Sequence, residues 1–238
     1  MSFSTMTKRE RILAATRCQP VDEVPVSTGY FGEWQNDWRA NDSSYKELIK
    51  KSRELACGTY FWEPIPNHLV GTEVETLYSS DPVFCPFIYS YTSARIKVER
   101  KVVLDGKTKN IYTTIQTPKG KIYNICRVIE GIKTIWQPKH FITNDEELER
   151  FLSIPVEDIT YDCSGFAKVN NYMENNGVVS IIIPDPLYYA ADLFHFDEFL
   201  IRAFSDQDTF IKIMNRFKTP VLNRVSQMID AGIGQLYR

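Results

Sequence analysis

The chain has 238 residues, 43% of them hydrophobic and 24% charged, which excludes intrinsic disorder and leaves room for one domain or two small ones. Twenty-eight basic residues against 30 acidic ones give a net charge of −2, which argues against a broad nucleic-acid-binding surface. The longest apolar run, 178–183, is far short of the ~20 residues of a membrane span. The polar, basic stretch from Met1 to Arg11 lacks the apolar segment of a signal peptide, so a cytoplasmic protein with no membrane or nucleic-acid partner is expected.

In chain order, Thr7-Lys8-Arg9-Glu10 reads as a capping box opening a helix that carries Ile12, Leu13 and Ala15. A short apolar strand is predicted from Val24 to Ser27. Ser44-Tyr45-Lys46-Glu47 opens a second helix, expected to bury Leu48, Ile49 and Leu55 and to stop at Gly58, followed by a buried strand at Thr59 to Trp62. A helix between two apolar strands is the βαβ pattern of a parallel sheet. Between about 73 and 136 the texture changes to alternating residues such as Arg95-Ile96-Lys97-Val98-Glu99, broken at Asp105-Gly106 and Lys119-Gly120, which predicts an antiparallel β-hairpin insertion. Thr143-Asn144-Asp145-Glu146 reads as another capping box, and a further helix is predicted from Gly165 to Glu174, ended by Gly177. Val178 to Ile183 is a buried strand by composition. Helical spacing resumes after Pro184-Asp185-Pro186, and a last long helix runs from near Asp206 to Ala231-Gly232 before a strand at Gln235-Leu236-Tyr237. Strands near 24, 59, 178 and 235 suggest a (β/α)8 TIM-barrel type of fold, incomplete at about four barrel strands, with the whole chain 1–238 as one domain portion.

Five cysteines at 18, 57, 85, 126 and 163, with no CxxC, fit reduced thiols. His68, His140 and His195 lie at no metal-chelating spacing from one another or from a cysteine. They read as separate structural or surface histidines, and no metal site of the usual kind is expected within the chain.

In a parallel α/β architecture ligands meet the C-terminal ends of the strands, and three such ends stand out. Gly29-Tyr30-Phe31-Gly32-Glu33-Trp34 offers Tyr30 and Trp34 as walls of a flat, apolar pocket, the alternative being a packed loop. Glu63, after the second strand, could accept hydrogen bonds from ligand N–H groups or act as acid or base, or be a solvated loop carboxylate. After the third strand come Asp185, Tyr188, Asp192 and His195. Asp185 could instead cap the following helix, and Asp192 and His195 could be an ordinary surface pair. No Gly-rich phosphate loop, G-x-S-x-G elbow or HExxH is present.

The opening Thr7-Lys8-Arg9-Glu10-Arg11-Ile12-Leu13-Ala14-Ala15, then Pro20-Val21-Asp22-Glu23-Val24-Pro25-Val26, resembles the start of the uroporphyrinogen decarboxylase family, which includes corrinoid-linked methyltransferases. Glu47-Leu48 through Cys57-Gly58, Gly71-Thr72-Glu73-Val74, Gln116-Thr117-Pro118-Lys119-Gly120, Trp136 and Ala231-Gly232 are similar to family features in the same order, across essentially the whole chain. The resemblance implies a (β/α)8 barrel with its site in the mouth and an acid after the second strand, where Glu63 falls, to hold pyrrole N–H groups. Decarboxylases of the family carry an Arg-rich stretch after the first strand to bind substrate carboxylates, whereas Ser27 to Trp38 contains no arginine. A substrate-facing tyrosine of that family falls near Asp192. These departures favour the methyltransferase branch, methyl transfer from a corrinoid to a thiol, with a corrinoid or corrinoid protein as substrate or partner. The alternatives are uroporphyrinogen decarboxylation and a non-catalytic binding module or gene fragment. The zinc ligands implied for that branch lie in the family's C-terminal half, so the chain is expected to be inactive by itself, to bind no zinc, and to form homo-oligomers or aggregate.

Overall fold

The computed structural model describes residues 5–28, 34, 38–71, 95–132, 134–183 and 185–238. Its helices are α1 (Lys8–Thr16), α2 (Lys46–Leu55), α3 (Asp145–Leu152), α4 (Gly165–Met173), α5 (Pro186–Asp192), α6 (Phe196–Ser205) and α7 (Gln207–Asp230). Its strands are β1 (Gly58–Trp62), β2 (Ile65–Pro66), β3 (Val98–Asp105), β4 (Thr108–Thr117), β5 (Gly120–Ile129), β6 (Ile135–Lys139), β7 (Tyr161–Asp162), β8 (Gly177–Ile181) and β9 (Leu236–Tyr237). Two compact units emerge: unit 1 comprises Met1–Pro64, Asp162–Ile183 and Gln227–Arg238, and unit 2 comprises Ile65–Tyr161 and Pro184–Ser226.

The expected incomplete barrel is overturned. The strands fall into three sheets: a parallel one of order β1-β8-β9, the pair β2-β7, and a four-stranded sheet β3-β4-β5-β6 that is antiparallel throughout. Short turns make neighbours of strands close in sequence, so the 98–139 stretch builds a sheet of its own. Val24 to Ser27, expected as a buried strand, carries no strand assignment, with Val24 81% and Val26 62% exposed. One backbone bond ties it to the sheet margin, from Cys57 N to Val26 O at 2.7 Å.

In unit 1, α1 opens on the predicted capping box: Thr7 accepts from Glu10 N, and the Glu10 carboxylate accepts from Thr7 N. Those bonds from Thr7 hold the Glu10 carboxyl below its ordinary range. The start of α2 departs from expectation. A 3₁₀ turn, Ser43–Tyr45, is capped by Asp42, and α2 follows it with no side-chain cap of its own. Ile49 is buried, but Leu48 and Leu55, a seven-residue step apart and about 100° round the helix from Ile49, are exposed. Gly58 is no helix cap. The last carbonyls of α2, on Arg53 and Glu54, accept instead from the Lys8 ammonium at 2.6 and 2.7 Å. Gly58 opens β1 opposite Gly177, where β8 begins. A Cβ on Gly177 would strike the Gly58 carbonyl, and one on Gly58 would strike the Trp34 indole. Close approach of two backbones, not turn geometry, demands both glycines.

In unit 2, Gly106 has φ of +57°, the left-handed conformation required at the first position of the two-residue turn between Asp105 and Thr108. Strict alternation then buries Ile111, Thr113 and Ile115 of β4 beside Cys126, Asn124 and Ile122 of β5. Helix α3 packs on β5. Its cap sits one residue later than predicted: Asn144 accepts from Glu147 N at 2.9 Å, and the Glu147 carboxylate reaches back to Thr143 N and Oγ1. The Phe217 ring of α7 lies 5.9 Å from that of Phe151 of α3 and 5.7 Å from that of Tyr189 of α5, centroid to centroid. Helix α7 continues past Pro220 in its interior. No helix among the described residues is long and apolar enough to cross a membrane.

Candidate functional site

Strand alternation decides what unit 1 offers a ligand. Tyr60 and Trp62 turn to one face of the parallel sheet, where they meet Tyr172 and Phe166 of α4 at 6.4 and 5.4 Å between centroids. Burial pushes the Tyr60 phenol up. Thr59 and Phe61 turn to the other face, and the register places Phe61 beside Ser180 and Ser180 beside Leu236, a row across three strands. This face forms the floor of an open cleft of about 400 Å³, walled by Ile12 of α1, Ser27, Tyr237 and Arg238.

The cleft is apolar with a few polar groups. The Ser27 and Thr59 hydroxyls share a hydrogen bond of 2.8 Å. The Arg238 guanidinium stands 5.4 Å from the Phe61 ring centroid, and the Tyr237 phenol donates to Ile233 O. Ser180 is 1% exposed, and its Oγ has no hydrogen-bond partner among the described residues. A buried hydroxyl left unbonded costs about 1–3 kcal/mol relative to a bonded one, so a polar ligand atom here would recover energy that the fold forgoes. This is the arrangement of a small-molecule site, apolar walls with few convergent hydroxyls.

Unit 2 holds a second cluster. His140, which follows β6, donates from Nδ1 to the Asp192 backbone carbonyl at 3.0 Å, and its ring meets the His195 ring edge-on at 4.5 Å between centroids. Burial lowers the His140 imidazole pKa and raises that of the Asp192 carboxyl, each disfavouring the charged form. Next to His140, the Lys139 ammonium bonds Glu147 at 2.8 Å and stands 4.3 Å from the Tyr123 ring centroid. Burial raises the Glu147 carboxyl, but the bonds from Lys139 and Thr143 outweigh it and hold it below its ordinary value.

The predicted site residues divide between the units. Tyr30 lies outside the described residues. Trp34 packs edge-on against Tyr172 at 6.2 Å and covers Gly58, with Arg53 5.2 Å from its ring. Glu63 follows the last residue of β1 and is half-buried. In unit 2, Asp185 caps α5, accepting from Leu187 N at 2.8 Å, and Tyr188 is 65% exposed against Tyr189. Asp192 and His195 do come together, but through a residue the sequence reading set aside. His140 is 55 positions from His195, too far for spacing to betray, and two of the three histidines are therefore not separate. Ser180 was missed too. A serine within a β-branched run reads as strand filler, and only the register shows what flanks it.

Among the described residues no group of three or more His, Cys, Asp or Glu side chains could hold a metal ion. The zinc implied by the resemblance thus has no ligand set there. Comparisons with family models, with curated proteins and with solved structures found no match for this chain.

Proposed function

We propose that the chain binds a small molecule in the cleft of unit 1, and that its chemistry is that of the corrinoid-linked methyltransferases which its sequence resembles. The buried Ser180 hydroxyl, without a hydrogen-bond partner among the described residues, at the floor of a largely apolar cleft carries the binding part of the reading. The ordered motifs from Thr7 to Gly232 and the arginine-free stretch Ser27 to Trp38 carry the choice of chemistry. In that reaction a thiol sulfur attacks the methyl group of a methylcorrinoid. The S–CH3 bond forms, the Co–CH3 bond breaks with its electron pair left on cobalt, and the thiol proton goes to solvent. The part read for this chain is to seat one reactant against Thr59, Phe61 and Ser180. Glu63, directly after β1, favours a second reading as a tetrapyrrole carboxy-lyase, its carboxylate accepting from pyrrole N–H groups.

Incubating the full chain with methylcob(III)alamin and a thiol, and separately with uroporphyrinogen, tests both. Loss of the methylcobalamin absorbance with formation of a thioether supports methyl transfer. Release of CO2 from uroporphyrinogen supports the second reading. Because the chain is expected to be inactive by itself, binding decides the reading: no change in thermal stability with methylcob(III)alamin, the thiol or uroporphyrinogen overturns both.

A further inference from the structure

Among the described residues, the antiparallel sheet of unit 2 ends on a long, regular edge strand, β3. Among the described residues β3 pairs with β4 only. Natural edges are kept short, bulged or charged to prevent pairing with another chain; β3 carries charges of both signs, Glu99, Arg100, Lys101 and Asp105, but is neither short nor bulged, pairing regularly over all eight of its residues, Val98–Asp105. Gln116 N donates to Lys97 O at 2.9 Å, which fixes the phase of the ladder. Residues 97, 99, 101, 103 and 105 therefore spend their backbone groups on β4, and 98, 100, 102 and 104 direct theirs outward. The same even-numbered residues share the face of Ile111, Thr113 and Ile115, the buried face of the sheet. Apart from Arg100, that face stays apolar out to the margin, where Val102 is 46% and Leu104 75% exposed.

We propose that β3 pairs antiparallel with β3 of a second copy, joining two four-stranded sheets across a two-fold axis at Arg100. Only registers that match even positions to even positions satisfy the outward-pointing backbone groups, and charge chooses among them. Pairing 100 with 100 sets Glu99 opposite Lys101 of the other copy, twice by symmetry. These are the closely spaced, non-hydrogen-bonded positions, where side chains approach most nearly. The same register places Val98 opposite Val102 and Ile96 opposite Leu104 on the apolar face, and Arg95 opposite Asp105. Moving the axis to residue 101 sets Lys101 against Lys101, and moving it to residue 102 sets Glu99 against Asp105. The chosen register carries one like-charge meeting, Arg100 with Arg100, at a widely spaced position. Planar guanidinium groups, being weakly hydrated, tolerate such stacking better than ammonium groups do. A single strand pair buries less than a standard interface, so the dimer belongs to the micromolar class.

Sedimentation velocity of the full chain from about 1 to about 200 µM spans that class. A monomer–dimer equilibrium is expected. Lys101→Glu turns both attractions into repulsions and should raise the dimer Kd about tenfold, while Glu99→Lys with Lys101→Glu restores the pairing in reversed sense and should bring the Kd back. Arg100→Val removes the one repulsion and should tighten the dimer. Circular dichroism on each variant checks that the sheet persists. A monomer at every concentration overturns the proposal, including the case in which another protein covers the edge. A dimer indifferent to Lys101→Glu, or one that the double reversal fails to restore, overturns it as well.

Discussion

Two residues of β8, Gly177 and Ser180, show how differently a small side chain can be required. Gly177 faces Gly58 so closely that a single methyl would enter the Gly58 carbonyl, and both partners are backbone in a paired ladder. Gly177→Ala should therefore cost about 1–3 kcal/mol, the range for forcing an extra carbon into a packed interior. Urea unfolding followed by tryptophan fluorescence reads this well, because Trp34, Trp38 and Trp62 all belong to unit 1. A loss within about 0.3 kcal/mol would mean that the two strands part more easily than their register implies. Ser180 is the opposite case. Its hydroxyl is buried without a partner among the described residues, so Ser180→Ala should leave the free protein as stable or raise its stability by up to about 1 kcal/mol. The same substitution should weaken whatever occupies the cleft. A clear drop in the stability of the free protein would show that the hydroxyl is bonded and would remove the main support for a site there.

At the scale of elements, α3 and the turn before it are held by one carboxylate. Glu147 accepts from Thr143 N, Thr143 Oγ1 and Lys139 Nζ, which keeps its pKa below the unfolded value. A depressed carboxyl contributes stability that is present above the unfolded pKa near 4.3 and is lost as pH falls through the folded one. Glu147→Gln should cost about 1–3 kcal/mol at neutral pH and flatten the acid limb of the stability curve below pH ~4.5, measured by urea melts across pH. An unchanged acid limb would place the acid-sensitive group elsewhere. The histidine pair acts in a higher window. The His140 pKa is lowered chiefly by burial, so its contribution is full above the unfolded value near 6.5 and fades as pH falls through the folded pKa. His140→Gln should remove that dependence, whereas His195→Gln, which relieves only the lesser charge repulsion, should leave most of it. Equal effects from both would mean that repulsion, not burial, governs the pair. These elements also mark how far sequence reading reaches. The helix starts at Thr7, the long α7, and the strands near 59, 178 and 236 were legible because capping, periodicity and β-branched runs are local signals. The cap shift to Asn144, the exposure of Leu48 and Leu55 and the His140–His195 contact depend on partners distant in sequence, and no local pattern reports them.

For the molecule as a whole, strand identity was more legible than strand assembly, and this explains why the barrel expectation failed. Short apolar strands separated by helices carry the same pattern in a closed ring as in a three-stranded sheet, so the pattern alone could not choose between them. The insertion expected at about 73–136 is antiparallel over its described part, where it extends to a four-stranded sheet ending at Lys139 with a buried face in place of half-exposed hairpins, while 73–94 lie outside the described residues. The division has a consequence for unfolding. Unit 1 draws β1, β8 and β9 from three chain segments, so its sheet closes only over long sequence separations. Unit 2 builds β3 to β6 from consecutive hairpins, which form from local contacts. Sub-global opening generally follows such cooperative blocks. In the Gly177→Ala protein, hydrogen exchange should therefore quicken at the amides of β1 and β8, next to the altered Gly58–Gly177 approach, while those of β4 and β5 keep the protection of the parent chain. Mass-spectrometric exchange on peptides covering 58–62, 177–181, 108–117 and 120–129 reads all four strands in one experiment. Equal acceleration in all four would mean that the chain opens as one cooperative block and would overturn the division into independently opening units.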